Sequence, residues 1–120
     1  MAISALALMW QQRATKKLVA RARAERDVTP LVDGIARLQD RARPTAFDVA
    51  ARQLWNADER ALAVSFIRGA ASYLPWARAA QYWIKHAQEV EPQLTRDAFD
   101  PEFLETIYQP RVAQQCGSFG

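Results

Sequence analysis

The chain has 120 residues, half of them apolar and about a quarter charged, and a formal net charge of +3. That length suits a single domain over 1–120, and the composition lies far from the weakly hydrophobic, highly charged corner in which chains stay disordered. The one cysteine, Cys116, excludes an intrachain disulfide framework and argues for an intracellular, reducing compartment, without separating cytoplasm from mitochondrial matrix.

Helix formers (Ala, Arg, Leu, Gln) dominate the chain, only four glycines interrupt it, and no stretch alternates as a strand would. The expected fold is therefore all-α: a compact bundle of about five or six short helices, with a basic N-terminal helix over 1–27, a helical body over 28–108 and an extended tail over 109–120. The helices are predicted at 3–26, 30–42, 46–54, 57–73, 75–90 and 101–108.

The first predicted helix is the most unusual segment. Residues 1–27 carry six basic side chains against Glu25 and Asp27, whereas residues 28–120 carry ten basic against eleven acidic. The whole basic excess thus belongs to this segment. Ile3, Leu6, Trp10, Ala14 and Leu18 recur at helical spacing, with Arg13, Lys16, Lys17 and Arg21 around them. Because Lys17 and Arg21 flank the apolar stripe, amphipathicity is only partial. The apolar opening is shorter than the roughly 20 residues that span a bilayer, and its cations follow the apolar run instead of preceding it, so neither a span nor a secretory signal is expected. Four readings stay open: a docking helix that meets a partner's acidic groups, a phosphate contact to nucleic acid, a membrane-surface or organelle-targeting helix, and a solvated helix of the bundle.

The interior helices show starts and stripes. Thr29-Pro30 and Asp100-Pro101 have the form of a cap followed by proline in the first turn. Thr45 with Asp48, and Asn56 with Glu59, resemble capping boxes, and Pro75 opens or kinks a helix. Apolar faces run through Leu31, Ile35, Leu38 and Ala42; through Phe47, Ala50, Ala51 and Leu54; through Leu62, Phe66, Gly69 and Tyr73; and through Trp76, Ala80, Trp83, Ala87 and Val90. The expected core is Leu31, Ile35, Leu38, Phe47, Leu54, Leu62, Phe66 and Trp83.

Chemistry finds little footing. The single histidine, His86, sits one turn from Glu89 and reads as a helix-surface imidazole, and Cys116 has no neighbouring base; no metal set, nucleophile elbow or phosphate-cradling glycine loop is present. The pairs Asp97/Asp100 and Glu102/Glu105 flank a helix start, where carboxylates favour the helix dipole. No cofactor is expected, and no motif carries a family resemblance. Tyr73, Trp76, Tyr82 and Trp83, interleaved with Arg78 and Lys85, form instead an aromatic and basic cluster of the kind that anchors protein interfaces. In the tail, Val112 and Phe119 offer two apolar anchors for docking in extended form, the alternative being an ordinary frayed terminus. The expected function is a non-catalytic helical interaction protein, an accessory or adaptor subunit or a small inhibitor that occupies a partner's surface. Its expected contacts are Trp10, Arg13, Lys16, Lys17, Arg21, Tyr73, Trp76, Arg78, Val112 and Phe119. The partner would be a protein, in a hetero-complex or a homo-oligomer. The alternative is a nucleic-acid-associated protein using the basic helix, and a membrane surface is a further, non-spanning option.

Overall fold

A computed structural model describes the backbone of residues 2–39, 41–71 and 77–108 and the side chains of 13–39, 41–71 and 78–108. Among the described residues there are seven helices and no strand: α1 (Ala2–Glu25), α2 (Thr29–Ala36), α3 (Arg43–Asn56), α4 (Arg60–Ala70), α5 (Ala77–Val90), α6 (Pro92–Ala98) and α7 (Pro101–Tyr108). The all-helical expectation holds, but the expected five or six helices leave out α6.

Proline explains where four helices begin. Pro30, Pro44, Pro92 and Pro101 each stand in the first turn of α2, α3, α6 and α7, where no intrahelical N–H is required and the ring presets φ. Sequence reasoning applied this device at Pro30 and Pro101, and also let Pro75, which lies outside the described residues, open or kink a helix. The same logic at Pro44 moves the start of α3 from 46 to Arg43, and at Pro92 it accounts for α6.

The side-chain caps need correction. Thr29 does not cap α2; the Asp27 carboxylate accepts the Thr29 N–H at 3.0 Å while Val28 is already in a right-handed helical conformation. That bond to the charged form, with the nearby Arg21 as a smaller influence, holds the Asp27 carboxyl below its ordinary value. Thr45 and Asp48 form no capping box, because both lie inside α3 and Asp48 accepts from Arg52 at 3.2 Å. Asn56 ends α3 instead of opening α4. Asp100 does cap α7, its Oδ1 accepting the Phe103 N–H at 2.9 Å.

Two helices stop without glycine. Arg26 (φ 53°) and Asp58 (φ 62°) take the left-handed conformation, and the next N–H in each case reaches back five residues, Asp27 to the Ala22 carbonyl and Glu59 to the Leu54 carbonyl. This is the usual closure of a helix end, occupied here by residues that carry a Cβ penalty. The predicted helix 30–42 ends early at Ala36, because Leu38 N–H turns to the Ile35 carbonyl and Arg43 Nε donates to the Leu38 carbonyl at 2.8 Å.

α1 packs against α2 and α3, α4 against α2, α3, α5 and α6, and α5 against α3, α6 and α7. Of the expected core, Leu31, Ile35, Phe47, Leu54, Leu62, Phe66 and Trp83 are buried, whereas Leu38 is only half-buried at the end of α2. The Phe47 and Phe66 rings stack with centroids 5.3 Å apart. Val90, expected on the buried stripe of α5, is exposed. On α1 the stripe is turned by about one residue: Thr15, Val19 and Ala22 are buried, while Ala14 and Leu18 are half-buried. Gly34 lets α2 approach α1, since a Cβ there would stand 2.6 Å from Leu18 Cδ1. Tyr73, Trp76, Pro75 and the tail with Val112 and Phe119 lie outside the described residues, as does the side chain of Trp10.

Candidate functional site

Two surfaces stand out. The first is the outward face of α1. With Thr15, Val19 and Ala22 seated on the body, Arg13, Lys16, Lys17, Arg21 and Arg23 are left exposed. At 1.5 Å per residue, Arg13 and Arg23 are about 15 Å apart along the axis. Among the described residues Arg13, Lys16, Lys17 and Arg23 make no ion pair. Arg21 does, through Nε to Glu25 at 3.2 Å, and Arg26 meets Glu59 at 3.6 Å. Both pairs are exposed or nearly so and hold the chain only weakly. Among the described residues, four cations of α1 are thus left without a carboxylate partner.

Between α1 and α2 lies an open cleft of about 340 Å³ bordered by Leu18, Arg21, Asp27, Asp33, Gly34 and Arg37, among others. Its charges are of both signs, two arginines against two aspartates. Arg21 and Asp27 are already engaged, with Glu25 and with the Thr29 N–H respectively.

The second surface belongs to α3, α4 and α5. Trp83 Nε1 donates to Asp48 Oδ1 at 2.9 Å, and Arg52, bonded to the other oxygen of Asp48, lies 6.0 Å from the Trp83 ring. Across the cluster, Arg60 pairs with Glu91 and lies 5.3 Å from the centroid of Trp55. His86 is not simply a surface imidazole beside Glu89. Its ring lies 5.4 Å from Trp55, 5.7 Å from Trp83 and 6.2 Å from Tyr82. Trp55 and Trp83 are buried, their ring centroids 6.2 Å apart and their planes tilted by 55°.

Of the expected contact residues, the structure brings Arg13, Lys16, Lys17 and Arg21 together on α1. Arg78 is exposed on α5, a helix that borders α3, α4, α6 and α7. Trp10, Tyr73, Trp76, Val112 and Phe119 cannot be joined to either surface from the described side chains. The Asp48–Trp83 and Arg60–Glu91 pairings escaped sequence reasoning: the partners are 35 and 31 residues apart, and no local spacing announces them. Among the described residues no three His, Cys, Asp or Glu side chains gather as metal ligands, and no helix is long and apolar enough to cross a membrane. Comparison with protein families, curated proteins and solved structures finds no match.

Proposed function

We propose that the chain is a non-catalytic helical interaction protein, an accessory or adaptor subunit or a small inhibitor, whose α1 docks on an acidic surface of a protein partner. The observation that carries this is the basic row on α1: Arg13, Lys16, Lys17 and Arg23 are exposed and, among the described residues, make no ion pair. Complementary charge steers encounter and fixes orientation. Because Thr15, Val19 and Ala22 are committed to the body, this half of α1 has no apolar face left to lay into a membrane, which weighs against that option. The tail, with Val112 and Phe119, is proposed as a second docking segment, and an intracellular compartment remains the proposed location.

The same row suits nucleic acid phosphates, the second reading. Reversal of Lys16 and Lys17 to Glu tests the first: crosslinking in the native source should recover a defined protein partner with wild type and lose it with the variant, at equal thermal stability. Retention of that partner by the variant would refute docking through α1. The second reading predicts instead that affinity for duplex or single-stranded nucleic acid falls steeply with salt, in proportion to the phosphates neutralised.

A further inference from the structure

Among the described side chains, the large apolar groups left most exposed all lie between residues 82 and 108: Tyr82, Val90, Leu94 and Tyr108. Two of them share the outward face of α5. There Tyr82, His86 and Val90 follow one another in four-residue steps, a ridge about 12 Å long. The ridge is firmly mounted. α3 holds one side of α5 through the Trp83 indole on Asp48, and α7 holds the other through Gln81 Nε2 donating to the Ile107 carbonyl at 3.1 Å. Tyr82 is 60% exposed, yet its ring lies parallel to His86 at 2° and edge-on to Trp83 at 86°. An exposed ring braced by two others loses little freedom on binding.

Charge along the same face is ordered. Arg78 stands at the start of α5, Lys85 just past its middle and Glu89 near its end, all exposed and, among the described residues, none in an ion pair. A helix laid parallel would set like charge against like, whereas one laid antiparallel sets cation against carboxylate and also opposes the helix dipoles favourably. A face that is basic at one end and acidic at the other is therefore complementary to itself.

We infer that the α5 face binds a second copy of this chain, antiparallel about a two-fold axis near His86. Tyr82 of each copy then covers Val90 of the other, and Lys85 of each comes within reach of Glu89 of the other. Two-fold symmetry makes every contact twice. The ridge is smaller than the roughly 800 Å² per partner of a standard stable interface, so the dimer is weak and forms at micromolar or higher concentration. This inference is independent of the role proposed for α1.

Sedimentation velocity on the full chain, over about three decades of concentration from low micromolar, tests it. Wild type should shift from monomer to dimer. Tyr82→Ser and Lys85→Glu should each weaken dimerisation by about tenfold or more, equivalent to 1.4 kcal/mol, while Lys85→Glu combined with Glu89→Lys should recover it. Lys16→Glu with Lys17→Glu should leave it unchanged. Far-ultraviolet circular dichroism and melting establish that each variant is folded; Val90→Lys replaces Tyr82→Ser if the latter is not. A monomer at every concentration, a dimer indifferent to the single substitutions, or no recovery in the charge swap would overturn the assignment.

Discussion

Truncation of Phe66 to alanine is the sharpest probe of the core. The ring is fully buried on α4 and stacks on Phe47 of α3 at 5.3 Å, so its loss opens a void where two helices meet. An aromatic side chain buries roughly 150–250 Å², which at about 25 cal/mol per Å² corresponds to some 4–6 kcal/mol. Measured Phe→Ala changes cluster at about 3–5 kcal/mol, because the site collapses in part. For 120 residues the total stability falls at about 6–18 kcal/mol, so the substitution removes a large share of it. Urea unfolding followed by Trp fluorescence should show the midpoint falling at constant m-value. A double-mutant cycle with Phe47→Ala should return a coupling of about 0.5–1.5 kcal/mol for the stacked pair. A loss below about 1 kcal/mol would be incompatible with a fully buried ring and would refute the assigned orientation of α4.

Asp58→Gly should raise stability by up to about 1 kcal/mol, since it relieves a left-handed residue at the end of α3, and a higher urea midpoint would register it. At Asp27 the folded carboxyl is held below its ordinary value by the Thr29 N–H. A lowered value means that the carboxylate stabilises the fold fully above the unfolded value and loses this effect as pH falls through the folded one. Asp27→Asn should therefore flatten the acid limb of the stability curve below about pH 4. An acid limb identical to that of wild type would refute a stabilising role for the Thr29 N–H bond to Asp27.

The legible part of this protein follows from local periodicity. Apolar residues spaced for a helical turn located the buried faces of α2 to α5, and seven of eight expected core residues are buried because a stripe on a short helix has only one body to face. Leu38 fell short because it lies past the end of α2, where the chain has already turned. The missed α6 was also local information: Pro92 behaves as Pro30 and Pro101 do. The basic row of α1 was visible as composition, but the rotation of its buried stripe toward Thr15, Val19 and Ala22 was not, because small residues on several sides of that helix can serve as the seat.

What the sequence by itself determined is thus helical structure, proline-marked starts and most of the core, all set by interactions within one or two turns of chain. Tertiary structure alone decided that Asp48 receives the Trp83 indole instead of capping a helix, that Arg60 pairs with Glu91, and that His86 lies among three rings. It also decided that Tyr82 and Val90 remain exposed. Those outcomes depend on how α3, α4 and α5 cross, and a crossing is chosen by the packing of whole helix surfaces, to which no single spacing along the chain corresponds.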